Sequence, residues 1–267
     1  MTALEHYQAG RLTDAIAAAV QDVKAAPMSL GKRTFLAELL CFAGELERAD
    51  THLEALAKQN PELAPGVALF RQLIRAAQAQ RQFYEEGRIP EVVHEPSPSF
   101  RSRMEASVFL REGDLAAARQ SLDEANGASP PCGSVDAAAC DCFRDLDDLV
   151  GDVFEVFTPN GKYYWIAMEQ VVAVEFRKPE SPRELLWRPV EMTVRDGPEG
   201  EVYLPSLYCG SHLADDDATR LGRATDWRDE GGIMRGIGQR MFLAGDEAKS
   251  ILDLTSLQLQ PTSASKA

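Results

Sequence analysis

The stretch Gly44-Glu45-Leu46-Glu47-Arg48-Ala49, with Pro61 twelve residues after Ala49, carries a pattern that the chain repeats. The same spacing occurs in two further copies: Gly10, Leu12, Ala15 and Pro27, and Gly113, Leu115, Ala118 and Pro130. The copies are offset by 34 residues and then by 69, which is close to twice the first offset. An internal period of this length indicates a repeat architecture.

A period of 34 residues is that of the tetratricopeptide repeat (TPR), a pair of antiparallel helices. The glycine suits the tight turn between the helices, the small alanine lets them approach closely, and the proline ends the second helix because it has no N–H to donate. Two positions depart from the usual signature, since its aromatic residue falls on Arg33 and its glycine on Ala37. The first half is therefore predicted to be a TPR-like helical repeat.

Between Pro61 and Gly113 the repeat pattern is lost, although apolar residues over 67–77 still recur at helical steps. Two prolines predict a loop over 94–99, because the residue before a proline is pushed to extended backbone. We expect three recognisable hairpins around one diverged unit. Stacked hairpins of this kind leave a concave face that commonly binds peptides or helices.

The second half of the chain has a strand-like pattern. Residues 126–134 predict a linker between a helical domain over 1–128 and a β-rich domain over 136–260, with a frayed tail over 261–267. Asn160-Gly161 predicts a β-hairpin, because both residues accept positive φ. The predicted strands span 153–157, 162–166, 171–176, 190–194, 201–204, 239–243 and 251–254. Helices followed by antiparallel strands define an α+β fold class.

The composition excludes several classes of protein. The chain has 267 residues, 45% of them hydrophobic, and a net charge of −14 from 42 Asp and Glu against 28 Lys and Arg. This charge repels phosphate backbones and anionic lipids, so we expect no nucleic-acid partner and no membrane insertion. The sequence has no secretory signal and no apolar run of membrane-spanning length, and its five cysteines fit a reducing compartment. We expect a cytoplasmic protein without disulfides.

Candidate metal ligands do not fall into a recognisable site. Cys132, Cys140 and Cys142 lack the Cys-x2-Cys spacing of structural zinc sites and are expected as free thiols in a linker and a short helix. The carboxylates of Asp215–Asp217 are consecutive rather than alternating, which predicts an exposed acidic turn instead of a calcium loop. We expect no metal and no cofactor.

One enzymatic alternative rests on Ser206 and His212, which with the carboxylates at 215–217 are the residue types of a hydrolase. Ser206 does not lie in the Gly-x-Ser-x-Gly context that exposes a nucleophile. The glycines at 231, 232, 236 and 238 match no phosphate-binding loop and predict a flexible loop before the strand at 239. We expect a protein without catalytic activity, and the Ser206/His212 hydrolase is the alternative.

Four stretches of the second half resemble a known family. They are Trp187-Arg188-Pro189, Leu204-Pro205-Ser206-Leu207-Tyr208, Leu221-Gly222-Arg223-Ala224-Thr225-Asp226-Trp227 and Gly238-Gln239-Arg240. With the helical repeat ahead of them, they resemble the ImpE/SciE/TagJ family of type VI secretion accessory proteins over nearly the whole chain. The resemblance implies a non-catalytic adaptor that binds the N-terminal helix of the small sheath subunit (TssB-like) and is linked to the ClpV ATPase that recycles contracted sheath. A stoichiometric subunit of the baseplate or sheath is a further alternative.

Five residues are candidates for binding that partner: Trp187, Leu204, Tyr208, Trp227 and Arg240. Aromatic residues and arginine dominate interface energetics. The groove for an amphipathic helix is expected either on the helical repeat or at the apolar segment 204–208. The alternative for the aromatic residues is a place in the β-core, with Arg240 paired to an acidic neighbour such as Asp226.

Overall fold

The computed structural model describes residues 1–59, 64–127 and 130–260. The first part of the chain is helical, with α1 Ala3–Gln8, α2 Leu12–Ala25, α3 Leu30–Phe42, α4 Leu46–Gln59, α5 Ala64–Glu86, α6 Pro98–Glu112 and α7 Leu115–Ala125. No helix in the described ranges is both long enough and apolar enough to cross a membrane.

The three copies of the repeat pattern form three helical hairpins: α1 with α2, α3 with α4, and α6 with α7. Gly10, Gly44 and Gly113 turn between the two helices with φ angles of +75°, +75° and +77°, which a residue with a side chain adopts only with strain. The repeated leucine begins the second helix in each hairpin, and the repeated alanine is fully buried. Pro61, predicted to end one of these helices, lies outside the described residues.

The diverged unit is one long helix instead of a hairpin. α5 runs for 23 residues, and residues 87–97 then pass along the sheet. Glu91 N–H donates to Tyr163 O at 2.9 Å, and Trp165 N–H donates to Glu91 O at 3.0 Å. These two hydrogen bonds lay the segment in parallel along an edge of the sheet.

Antiparallel strands make up most of the second part of the chain, so the predicted α+β class is confirmed. They are β1 Gly133–Val135, β2 Ala138–Cys140, β3 Phe143–Asp145, β4 Val153–Phe157, β5 Tyr163–Ala167, β6 Val171–Phe176, β7 Trp187–Val194, β8 Glu199–Pro205, β9 Thr225–Asp229, β10 Met234–Gly238, β11 Met241–Ala244, β12 Glu247–Ser250 and β13 Ser256–Leu259. Two short helices, α8 Pro182–Leu186 and α9 Asp217–Arg220, lie among them.

Within the described residues, eight strands form one sheet in the order β2-β1-β13-β6-β7-β8-β4-β5. Three more form the order β12-β11-β3, and β9 pairs with β10 as a separate hairpin. Both predicted hairpins are confirmed, since β4 pairs with β5 around Asn160-Gly161 and β7 pairs with β8.

Three local predictions are wrong. The segment 251–254 is a turn between β12 and β13, and its residues Ile251 and Leu254 are fully buried. Buried apolar residues in a turn give the same sequence pattern as a short strand. The predicted flexible glycine loop is the β9–β10 hairpin, and the predicted loop over 94–99 ends at 97 because Pro98 begins α6, where its missing N–H is not needed.

Buried apolar side chains cover both faces of the eight-stranded sheet. One face packs on the helices, where Trp165 and Trp187 meet the rings of Phe83 and Phe70 at centroid distances of 4.7 and 5.9 Å. The other face encloses a second apolar cluster. Residues 36–42 of α3 are buried on every side, because α3 packs on α2, α4 and α8. The chain's own second half therefore covers the repeat at α3.

The predicted division into domains over 1–128 and 136–260 stays a prediction. Residue 128 and the tail over 261–267 lie outside the described residues. One apolar cluster runs from Ala3 of α1 to Tyr203 of β8 and Ile233. The helices and this face of the sheet thus share a common core.

Candidate functional site at the junction of helices and sheet

The stretches 204–208, 221–227 and 238–240, together called the motif cluster here, come together at one place in the fold. Tyr208 N–H donates to Gly238 O at 3.0 Å, and the first stretch is thereby fixed to the last. Gly236 lies directly against the ring of Tyr208, where a Cβ would come within 2.2 Å of a ring carbon. Only glycine fits there, which explains part of the glycine content of β10.

Arg240 is the charged centre of the motif cluster. Its side chain is buried between two carboxylates: Nη1 lies 2.9 Å from Asp145 Oδ2, and Nη2 donates to Glu155. The guanidinium also stacks over the ring of Tyr208 at 5.1 Å. The predicted pairing of Arg240 with Asp226 is wrong, because Asp226 is exposed on β9 while Asp145 and Glu155 come from buried strands.

Glu155 connects the helices to the sheet. One carboxylate oxygen accepts hydrogen bonds from Gln80 Nε2 at 3.0 Å and from the hydroxyl of Tyr84 at 3.1 Å, both on α5, and from the hydroxyl of Tyr163 on β5. The other oxygen pairs with Arg240. A single buried side chain therefore ties α5, β4, β5 and the motif cluster together.

The two carboxylates that flank Arg240 differ in their proton affinity. Burial raises the pKa of Asp145 to about 7. The positive charge of Arg240 opposes this increase only in part, and the negative charge of Asp147 adds to it. Burial also acts to raise the pKa of Glu155, but Arg240 and the hydrogen bonds from Tyr163 outweigh it and lower that pKa. The site therefore holds one firmly ionised carboxylate and one that exchanges its proton near neutral pH.

A second buried ion pair attaches the β9–β10 hairpin. The two carboxylate oxygens of Asp147 each lie 3.0 Å from Arg235 Nε, and one accepts from Gly236 N–H at 2.9 Å. Asp147 is buried and Arg235 is half-buried. The hairpin is thus held to the segment that leads into β4.

Asp217, just before the second stretch of the motif cluster, and Arg223, within that stretch, also hold the first helical hairpin. Asp217 of α9 accepts from the N–H of Leu12 at 2.8 Å and so satisfies a free donor at the start of α2. Arg223 donates to the carbonyls of Tyr7 and Gln8 at 2.6 and 2.9 Å at the end of α1, where positive charge is favourable. The prediction of a fully exposed acidic turn is therefore wrong at Asp217, whose carboxylate caps a helix.

The five predicted binding residues all belong to this region or border on it, but most are inside the protein. Four side chains are at most 5% exposed: Trp187, Leu204, Tyr208 and Arg240. Trp227 on β9 is half-buried, with its ring 5.9 Å from that of Tyr208. Direct contact with a partner is thus open to Trp227 alone, and a binding role for the five stays a prediction.

The residue types of a hydrolase are present but are not assembled. Ser206 is fully buried, and its hydroxyl has no hydrogen-bond partner among the described residues. His212 packs its ring against Gly44 at the turn of the second hairpin. A nucleophile needs an exposed hydroxyl within hydrogen-bond reach of a base, so the geometry does not favour this alternative.

The five cysteines have free thiols. Cys140 lies in β2, so the short helix predicted around it is wrong. No group of three or more His, Cys, Asp or Glu side chains in the described ranges is arranged to hold a metal ion.

Asp145 and Glu155 belong to the site although neither was predicted from the sequence, and Asp217 belongs to it in a role other than the predicted acidic turn. A signal existed for Glu155, which is a lone carboxylate inside the apolar strand Val-Phe-Glu-Val-Phe, and a buried charge needs a partner. The capping role of Asp217 gave no signal, because the helix end that it caps is 205 residues away in sequence.

An open apolar groove lies on the sheet beside the segment 87–97. Its volume is about 450 Å³, and we call it the valine groove; its apolar lining includes Val92, Val93, Val156, Ile166, Met192 and Val202. His94 fixes the segment 87–97 beside the groove, because its Nε2 lies 2.8 Å from the carbonyl oxygen of Arg195. Val92 is 41% exposed at the rim.

These features define a class of protein in which a short helical repeat is closed by a β-rich half. The family model described as ImpE protein matches residues 137–258. The chain is 30% identical over 265 residues to the type VI secretion system accessory component TagJ of Pseudomonas aeruginosa, covering 99% of this chain and 93% of that relative. It is also 28% identical to a Vibrio parahaemolyticus protein of known crystal structure, with a TM-score of 0.89 over 97% of both chains.

The chain belongs to the ImpE/SciE/TagJ family of type VI secretion system accessory proteins. The resemblance predicted from the four stretches is thereby confirmed. Three of those four stretches make up the motif cluster, and the fourth contributes Trp187 to the core shared by helices and sheet.

Proposed function

We propose that this protein is a cytoplasmic, non-catalytic adaptor that binds the N-terminal helix of the small sheath subunit and acts on ClpV-linked recycling or assembly of the sheath. The observation that carries the proposal is the relation to the accessory component TagJ over 99% of the chain. The burial of Ser206 away from any base in the described part of the chain supports a role without catalysis.

The valine groove is the surface where we place the partner helix. An amphipathic helix presents apolar side chains at positions i, i+3, i+4 and i+7 and needs an apolar groove to bury them. The repeat is covered at α3 by the chain itself, and the segment 204–208 is largely buried. The lining of the valine groove is mostly apolar and is exposed at the rim at Val92, while its floor residues Val156, Ile166 and Met192 are at most 4% exposed.

Calorimetric titration with a synthetic peptide of the small sheath subunit's N-terminal helix tests the proposal. We expect saturable binding to the unmodified protein and at least tenfold weaker binding to Val92→Asp, because a carboxylate at the rim opposes burial of an apolar face. The matched control is Val108→Asp on α6, since Val108 is 39% exposed against 41% for Val92. We expect the control to bind as tightly as the unmodified protein.

Each outcome bears on a different part of the proposal. Absence of saturable binding to the unmodified protein would refute the adaptor role. Binding that is unaffected by Val92→Asp, or weakened equally by Val108→Asp, would move the docking surface away from the valine groove. Loss of affinity in Trp227→Ala instead would place the helix on the β9–β10 hairpin, as the predicted site residues imply.

A further inference from the structure

A cleft of about 480 Å³ beside α5 is lined by three arginines: Arg75, Arg81 and Arg88. None of the three forms an ion pair with any residue that the structure describes, although the chain has an excess of carboxylates. Arg75 and Arg88 are exposed and contact only glutamine side chains or their own helix end, while Arg81 donates to the carbonyl of Gly44 at 2.8 Å.

The two acidic residues of the cleft, Glu47 and Glu86, offset only part of the positive charge of these arginines. Glu47 is engaged by Gln78, whose Nε2 lies 2.9 Å from its carboxylate, and this hydrogen bond lowers the pKa of Glu47. Glu86 is exposed at the rim. The cleft therefore has one positive charge in excess on a protein whose net charge is −14.

Three separate elements shape this cleft. Arg75 and Arg81 lie on α5, Glu47 lies on α4, and Gly161 closes the side next to the β4–β5 turn. The turn is pressed against α5 at Gly161, because a Cβ there would come within 2.4 Å of Gln72 Oε1. The cleft is thus a product of the tertiary fold and not of one helix face.

We propose that this arginine cleft binds the carboxylates of an acidic peptide segment. The planar guanidinium of arginine can donate two parallel hydrogen bonds to the two oxygens of one carboxylate. This match of geometry makes a carboxylate a suitable ligand for the cleft. The arginine cleft and the valine groove have no lining residue in common. The cleft would bind carboxylates and the groove apolar side chains, so this proposal is separate from the binding of an amphipathic helix. Its partner is a chain with several neighbouring Asp or Glu residues.

The spacing of the arginines favours a peptide over a single inorganic anion. Arg75 and Arg81 are six residues apart on α5, which separates their backbones by about 9 Å along the helix axis and by about a third of a turn around it, and both side chains line the cleft. Alternate side chains of an extended peptide repeat at about 6.6 Å, so two carboxylates can each reach one arginine. A lone phosphate offers its oxygens at one point only.

Calorimetric titration of the full-length protein with an acetylated hexaglutamate peptide, and separately with inorganic phosphate, tests this proposal. The test variant is Arg75→Gln/Arg88→Gln. The control is Arg101→Gln/Arg119→Gln, which removes the same charge from two exposed arginines paired with Glu95 and Asp123 outside the cleft. Because Arg75 and Arg88 support no buried contact, the test variant is expected to fold normally, which far-ultraviolet circular dichroism checks.

We expect saturable, salt-sensitive binding of hexaglutamate that weakens at least tenfold in the test variant and less than twofold in the control. No saturable binding to the unmodified protein at low salt, or equal weakening in both double variants, would overturn the proposal. Phosphate binding as tight as that of the peptide would show a free-anion site instead. The sheath-helix peptide, titrated against the same test variant, should bind unchanged, which separates this result from the fate of the adaptor proposal.

Discussion

The helical hairpins and the motif cluster are stabilised by different interactions. In the hairpins, glycine turns and buried alanines such as Ala49 let apolar helices pack closely. In the motif cluster, Arg240 is buried between Asp145 and Glu155. Truncating an apolar side chain in a core destabilises a protein according to the number of atoms removed and the cavity that is left. Removing one partner of a buried ion pair costs more than its contacts, because the remaining charge is left without a partner and without water. The junction of the two halves is therefore more sensitive to single substitutions than the repeat.

Arg240→Met should cause the largest loss of stability. The substitution leaves Asp145 and Glu155 buried without their common cation, which costs about 3–5 kcal/mol when one partner of a buried pair is removed. Urea denaturation followed by tryptophan fluorescence measures the free energy of unfolding. Arg101→Met, at an exposed arginine, should change it by less than about 0.5 kcal/mol.

A compensating variant sharpens the interpretation of Arg240→Met. Adding Glu155→Gln removes the carboxylate with the lower pKa but keeps an acceptor for Gln80 and Tyr84, so part of the loss should be recovered. If the double variant is as unstable as Arg240→Met alone, the loss reflects packing and not uncompensated charge.

Gly44→Ala should have the next largest effect, of about 2–5 kcal/mol. Alanine at a φ of +75° is strained by roughly 1–2 kcal/mol. Its Cβ would also come within 2.3 Å of the His212 ring, so overpacking adds about 1–3 kcal/mol. Urea denaturation measures the free energy of unfolding of this variant.

Gly113→Ala is the matched control for this substitution. Gly113 occupies the same repeat position with a φ of +77°, but a Cβ there meets nothing within 4 Å. Only the backbone strain should appear, and the difference between the two variants measures how closely the β-rich half is held against the repeat. Equal losses would show that His212 moves aside freely.

The repeat was predictable because each hairpin depends on residues close together in sequence. Gly44, Leu46 and Ala49 act within one turn and the start of one helix, so their spacing is fixed by local geometry. The hairpin at Asn160-Gly161 was predictable for the same reason. The turn over 251–254 was not, because burial alone does not separate a strand from a packed turn.

The ion pairs of the motif cluster were not predictable from their spacing. Arg240 is 95 residues from Asp145 and 85 from Glu155, and a pattern of local positions gives no sign of such a pairing. Of the aromatic candidates, Trp187 lies in the core and Trp227 is half-buried. The site forms where three stretches that are distant in sequence come together in the fold. The resemblance to a family identified these stretches, but it did not show that they are in contact.

The last of these effects is expected from Glu38→Gln and depends on pH. Glu38 on α3 faces α8, where Arg183 N–H donates to its carboxylate at 3.4 Å and the charge of Glu184 lies near. Burial raises the pKa of Glu38 to about 7 from its ordinary value of 4.5. The stabilisation from protonated Glu38 is therefore fully present below about pH 4.5 and is lost as the pH rises through about 7.

Glutamine keeps the shape of the protonated acid but does not ionise. The free energy of unfolding of Glu38→Gln should match that of the unmodified protein at about pH 4 and exceed it at about pH 8, as measured by urea denaturation at both values. Asp145 titrates in both proteins and cancels in the difference. A difference that stays constant between about pH 4 and about pH 8 would mean that Glu38 is solvated at the covered face of the repeat, and that the β-rich half is held there less tightly than at Arg240.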